Sequence, residues 1–390
     1  MRLQLNQAGD VVLESIVHRV SLSATMTAAA ISLFAVECVT PPCMAQSIPE
    51  RGIVSLKQLD YVDSQPGRDR VKVKATAVDI LAPIAGEWAI SATAVSDGIS
   101  GASPAYHNSA IIKLVDRRNA IDGQVTRYFQ EASVTIGANY SKESDYLSRG
   151  LSFQGSLLSG DRNTTWTLGI GFNKDKIDPN NHIVAGEKKH VADFLLSLSQ
   201  VLTISDIVQI NLGISKGDGY HSDPYKVFDN RPRERNSQTL TTRWNHHNQS
   251  LDSTARMSYR YFSDSWGIKA HTLTLEYVQN IAPGWIITPL LRVYSQSRAK
   301  FYVDAGPIDF PFPPNPPDNA RYFSEDQRMS AYGAHTYGLK IAKHFGEDWL
   351  VDLKYEQYTQ RASWRLFGEG SPGLLPFYAR SVQVGISKQF

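Results

Sequence analysis

Charged side chains recur at every second position along several stretches of this chain, and that spacing is where its chemistry is to be sought. Arg256 and Arg260 stand four residues apart in one such stretch, so in an extended strand they point the same way, about 13 Å apart. Arg243, Arg292 and Lys340 hold comparable places in neighbouring stretches, with Glu276, Asp352, Lys354 and Glu356 among or beside them. If the apolar residues between them face outward, these groups form one charged wall around an interior. A wall of this kind can set a field that orients polar solutes. Its members can equally pair with one another and brace the structure.

A second concentration of charge lies between residues 219 and 235, where Asp223, Asp229 and Glu234 are interleaved with Arg231, Arg233 and Arg235, and with Tyr225. Pro224 and Pro232 restrict this backbone, which makes it a structured loop and not a solvated tether. It can fold inward as a constriction or plug, or sit at the surface as a cap held by Arg–carboxylate pairs.

Nucleophilic catalysis needs a hydroxyl, a base and an orienting acid in one place, and no Ser/His pair here has a diagnostic spacing. The chain is therefore not expected to be an enzyme, a membrane-interface hydrolase being the residual alternative. Histidine is the only soft ligand outside the first 45 residues. His246 and His247 are adjacent in an alternating stretch and point to opposite faces, His271 and His335 begin such stretches, and His107 and His221 lie in loops. No metal site and no cofactor is expected.

The elements that carry these residues are strands. Period-two alternation runs through almost the whole chain after the first 45 residues, in stretches at 53–62, 71–80, 87–95, 124–129, 132–140, 147–158, 164–172, 190–202, 207–215, 237–245, 253–262, 271–280, 285–296, 335–345, 349–360 and 381–390. In the second, Lys72, Lys74 and Thr76 share one face and Val71, Val73, Ala75 and Ala77 the other. Residues 96–122, 216–236 and the Pro-rich 300–332 read as long loops, alternating with short turns such as Ala282-Pro283-Gly284. The last stretch has Val382, Val384, Ile386 and Phe390 on one face and Ser381, Gln383, Gly385, Ser387 and Gln389 on the other, and the sequence stops on the aromatic ring. That is the pattern of the closing strand of a bacterial outer-membrane β-barrel, with Phe390 as its assembly signal. The fold class expected is all-β: a single transmembrane antiparallel barrel of about sixteen strands with long extracellular loops and short periplasmic turns. A secreted sandwich or lipocalin-like barrel is the competing fold, but it would need a break in the alternation that is absent.

Composition agrees. A chain of 390 residues with 20% charged residues and no long apolar run cannot be a helical membrane bundle, and 10% aromatic residues suit girdles at two membrane interfaces. The net charge of +2 gives no broad surface for nucleic acid. Residues 1–45 read as a long secretory signal cut after Ala45, leaving 46–390 as the barrel, although Asp10 and Glu14 fit a later start or a short extension better. Cys38 and Cys43 fall in the removed part, so the mature chain has no thiol. The partners expected are outer-membrane lipid and the barrel-assembly machinery, and the function expected is a pore or channel for small polar solutes.

At this point the residues resemble the proteobacterial outer-membrane proteins catalogued as domain of unknown function 3570, over almost the whole mature chain. The resemblance rests on residues 100–107, on Tyr140-Ser141-Lys142-Glu143-Ser144-Asp145-Tyr146 and on Asp161-Arg162-Asn163-Thr164-Thr165. It also rests on Ser222-Asp223-Pro224-Tyr225-Lys226, on residues 229–235, on Arg243-Trp244-Asn245-His246-His247 and on residues 265–272. Lys142 departs from the expected Thr. The resemblance implies a barrel and an address, with no established activity. The family's gene neighbours look often to be a flavin transferase and a thioredoxin-like protein, which would imply a periplasmic redox or metal-handling partner. The alternative function is accordingly a non-conducting barrel that anchors or exports such a partner.

Overall fold

The computed structural model describes residues 48–66, 68–102, 113–226, 228–304 and 316–390. The expected signal with its cleavage site and both cysteines, His107, and Pro311, Pro313 and Pro314 lie outside the described residues.

Alternation becomes strand wherever one face can meet lipid and the other the interior. The strands are β1 (Ile53–Gln65), β2 (Arg68–Ile84), β3 (Trp88–Ala102), β4 (Lys113–Tyr128), β5 (Ala132–Lys142), β6 (Tyr146–Leu158), β7 (Thr164–Ile177), β8 (Glu187–Val201) and β9 (Asp206–Gly219). They continue with β10 (Asp229–Asn230), β11 (Glu234–Asn248), β12 (Ser253–Asp264), β13 (Lys269–Ala282), β14 (Trp285–Gln296), β15 (Phe323–Ser324), β16 (Tyr332–Phe345), β17 (Trp349–Arg361) and β18 (Phe377–Gln389). Among the described residues sixteen of these form one closed antiparallel barrel, each paired with its neighbours in the chain, and β10 and β15 form a small separate sheet between two loops. Closure leaves no open edge, which the hydrocarbon would not tolerate.

The seam lies between β1 and β18, with Ile53 opposite Gln389 and Ser64 opposite Tyr378. Gly52 and Phe390 exchange two backbone hydrogen bonds, each 2.9 Å. On β18, Val382, Val384, Ile386 and Phe390 are exposed on the outer face, while Ser381, Gln383 and Ser387 are buried on the inner one. Around the barrel the outward side chains form an apolar band. Trp88, Phe129, Trp166, Trp244, Trp285 and Trp349 mark its short-turn end, and Tyr140, Phe172, Tyr259, Tyr337 and Tyr355 lie toward the other end. Arg127, Lys343 and Lys388 lie over the rings of Trp88, Trp285 and Trp349 at 5.3, 5.0 and 5.2 Å, as cations do at a membrane interface. No described helix is long and apolar enough to cross a membrane; the crossing is made by strands. The fold is that of a transmembrane β-barrel.

Two expectations from the sequence are corrected. Residues 96–122 are not a loop throughout: β3 runs on to Ala102 and β4 begins at Lys113. Their polar residues hid the strands, because Asp97 and Arg118 face each other in register inside the barrel and pair at 2.7 Å, both side chains nearly inaccessible. On β2 the rule that apolar residues face lipid is reversed. Val71, Val73, Ala75 and Ala77 point inward, packing with Leu59, Tyr61 and Ala379, while Lys72, Lys74 and Thr76 point outward. This stretch lies toward the long-loop end, above the apolar band, where the outer face meets water. There Lys74 stands 3.8 Å from Asp60. Val78 and Ile80, further down, restore the apolar outward face.

Candidate functional site: a capped, arginine-lined lumen

The inner wall is built by register. Arg256 stands directly opposite Glu276 and pairs with it at 3.8 Å. Arg243 and Arg292 fall on one hydrogen-bonded row through Ser258 and Thr274, and the Arg292 Nε donates to the Thr274 hydroxyl at 3.4 Å. Arg260, four residues along β12 from Arg256, lies over the Phe262 ring at 5.4 Å. On the next strands Lys340 and Lys354 are opposite each other, Lys354 lies 3.4 Å from Glu356, and Asp352 occupies the space beside Gly385 that a Cβ there would fill. The wall thus divides into an arginine-rich sector on β11–β14 and a mixed sector on β16–β17.

Above it, two loops reach across the long-loop end of the barrel. Gly219 ends β9 at a φ of 125°, and a Cβ there would meet the Lys188 carbonyl oxygen at 2.1 Å, so only glycine lets the chain leave the wall at this point. Residues 220–226 then cross toward β5–β6, where the Tyr225 hydroxyl donates to Asp145 and the Asn181 amide donates to the Pro224 carbonyl at 2.7 Å. From the other side residues 316–331 reach back to β1, where the Gln65 amide donates to Gln327 at 3.4 Å. The two loops join through the β10–β15 ladder and through ion pairs. Arg231 pairs with Asp229 at 2.9 Å and with Asp326 at 2.7 Å, and Arg328 pairs with Asp326 and, at 3.1 Å, with Asp223. Burial pushes the Asp326 carboxyl up, but Arg328, Lys226 and Arg231 together outweigh it and hold the group well below the usual carboxylate range. Trp266 anchors the assembly, packing with Ile268, Ala299, Tyr302 and Met329 and donating its indole N–H to the Glu234 carbonyl at 2.9 Å.

Of the loop residues singled out in sequence, Asp223, Asp229 and Arg231 belong to this network, and Tyr225 ties it to the rim. Arg233 instead pairs with Glu187 at the exposed edge. Arg235 sits on β11, paired with Asp264 at 2.8 Å and stacked 4.4 Å over Trp266.

Beneath the cap lies a cavity of about 540 Å³. Arg231, Arg235, Arg243, Arg260 and Arg328 line it together with Lys189 and Asp193. Arg256, Glu276, Arg292 and the β16–β17 charges lie outside its lining. His221 also faces it, edge-on to Trp266 with ring centroids 5.5 Å apart; burial, reinforced by Lys189, Arg235 and Arg231, lowers its pKa to about 3 and keeps it neutral. Arg328, Lys189 and His221 are members that the sequence reading did not assign. Lys189 was not legible, since its register with Asp175, to which it pairs at 3.1 Å, lies beyond the alternating stretches read from the sequence. Nor was Arg328, because its partner Asp223 is 105 residues away.

The four strand histidines singled out in sequence make local contacts. His246 and Trp244 both bond Asp206, at 2.9 Å each, His247 bonds Thr254, His271 bonds the Tyr259 hydroxyl and His335 stacks on Trp364 at 4.6 Å.

Solved structures are similar to this chain at low identity. A bacterial polysaccharide outer membrane secretin is 7% identical, with a TM-score of 0.50 over 87% of this chain and 98% of that one. CdiB from Acinetobacter baumannii is 9% identical, with a TM-score of 0.48 over 85% of this chain, which spans only 60% of CdiB's length. A BenF-like porin from Pseudomonas fluorescens Pf-5 is 10% identical, with a TM-score of 0.44 over 87% of this chain and 98% of that one. No curated protein matches. The model of the family described as "Protein of unknown function (DUF3570)" matches residues 108–380, and the chain belongs to that family.

Proposed function

We propose that this barrel is a capped channel for small polar solutes, with a preference for anions set beneath the cap. The observation that supports it is the cavity of about 540 Å³ in which Arg231, Arg235, Arg243, Arg260 and Arg328 converge. Guanidinium groups on a water-filled wall lower the energy of a passing anion, and the low-dielectric barrel around them focuses the field. Conductance of the purified protein in a planar bilayer is the test. Discrete openings with a reversal potential shifted toward the anion under a salt gradient are expected. A silent bilayer at all voltages would overturn the reading.

A silent barrel would favour the second reading, a non-conducting anchor or exporter for a periplasmic redox or metal-handling partner. The buried ion pairs that join loops across the mouth speak for it. In either case lipid is the solvent of the outer face, and the barrel-assembly machinery is the partner proposed for β18. No catalytic role and no cofactor is proposed: the nearest acid–base pair, Asp206 with His246, also takes the Trp244 and Thr203 side chains and so closes a turn.

A further inference from the structure

We propose that Asp116, Glu143 and Asp145 hold one calcium ion at the rim of the barrel, beside the foot of the cap. One carboxylate oxygen from each lies within 4.8 Å of the others. Oxygens bound to a single Ca²⁺ at about 2.4 Å can be at most about 4.8 Å apart, so one ion can touch all three. The ligand set is all carboxylate, with no sulfur or imidazole, which suits a hard cation.

The buried members argue for an ion over a solvated acidic patch. Glu143 and Asp145 are 5% and 7% exposed. The Asp145 Oδ2 accepts from the Tyr225 hydroxyl, whereas its Oδ1 is buried and has no hydrogen-bond partner. An acceptor left in that state bears the desolvation cost of its burial, which is larger for a charged group, unless a ligand fills it. The frame is held from outside: the Ser144 N–H donates to Asp116 at 3.4 Å, the Asn180 side chain to the Ser144 hydroxyl at 3.1 Å, and the Asn180 N–H to the Tyr225 oxygen at 3.2 Å. An ion here would share Asp145 with Tyr225 and so bind the rim and the cap loop to one point. Glu143 to Asp145 is also one of the strings that single out this chain in sequence, and neither the wall nor the cavity uses it.

The test is calorimetric titration of CaCl₂ into the full-length barrel, refolded in zwitterionic detergent without lipopolysaccharide and stripped with EDTA. One site per chain is expected, in the range of roughly 0.1–1 mM usual for extracellular sites. It should weaken at least about tenfold in Glu143→Gln and in Asp116→Asn. The half-buried Asp116 supplies a variant that keeps the fold if Glu143→Gln does not, and the gel shift between unboiled and boiled protein monitors folding. Absence of binding in the wild type, or equal binding in the wild type and the folded variants, would overturn the proposal and leave a carboxylate cluster held by its hydrogen bonds alone.

Discussion

Arg231 and Asp326, 95 residues apart in the chain, meet at 2.7 Å inside the cap with both side chains almost inaccessible. They belong to loops that leave the barrel at different places, so this contact joins two sides of the mouth. Arg231 keeps a second carboxylate in Asp229, and Asp326 a second guanidinium in Arg328.

Removing one charge from this network is expected to open the mouth. Asp326→Asn leaves Arg231 and Arg328 buried with one carboxylate each, and breaking a buried pair this way costs about 3–5 kcal/mol. The variant should show larger or more frequent openings in planar bilayers while keeping its gel mobility. Arg231→Leu with Asp326→Leu removes both charges but strips the buried Asp229 of its guanidinium, so it should open the mouth as well. Identical conductance in all three would mean that the cap is not on the conduction path.

Selectivity should follow position and not charge alone. Arg243 and Arg260 line the cavity, whereas Arg256, paired with Glu276, lies outside its lining. Arg243→Ala with Arg260→Ala should therefore remove most of the anion preference, and Arg256→Ala should remove little. Reversal potentials across a roughly tenfold salt gradient measure this, and at high salt the difference should shrink as the wall is screened. An unchanged potential in the double variant would reduce these arginines to braces.

His221 makes the cap acid-sensitive. Its pKa falls from 6.5 to about 3 in the capped state, so an opened state in which the ring is hydrated binds a proton that the capped state refuses. The contribution of the neutral ring is complete above pH 6.5 and is lost as the pH falls from there toward 3. Across that window the closed-to-open ratio should drop by roughly tenfold per pH unit. His221→Phe keeps a ring against Trp266 and should flatten this dependence. A slope unchanged in His221→Phe would assign the sensitivity to other groups.

Deleting Phe390 should block assembly. The deletion removes both backbone hydrogen bonds with Gly52 at the seam and an exposed lipid-facing ring. Degraded or periplasmic chains are expected in cell fractions, and normal outer-membrane levels would show that the terminus is dispensable.

The strands were legible because alternation is local. Val382, Val384 and Ile386 on one face and Gln383 and Ser387 on the other specify both an extended backbone and the side that meets lipid. That rule failed on β2, where Lys72 and Lys74 point outward, because sequence carries no measure of height and the rule holds only within the hydrocarbon. It failed again between Asp97 and Arg118, where charges neutralise each other across two strands that neither stretch announces alone.

The sequence by itself determined that this chain is a single antiparallel barrel of about sixteen strands. The tertiary structure alone decided which charges meet. Register placed Arg256 against Glu276 and left Arg260 beside the cavity, and loop closure brought Arg328 to Asp223 and Tyr225 to Asp145. The physical reason is range: alternation is set by each residue's immediate neighbours, while ion pairs and cavities depend on where strands stop and how far loops reach, which the chain settles only once the barrel is closed.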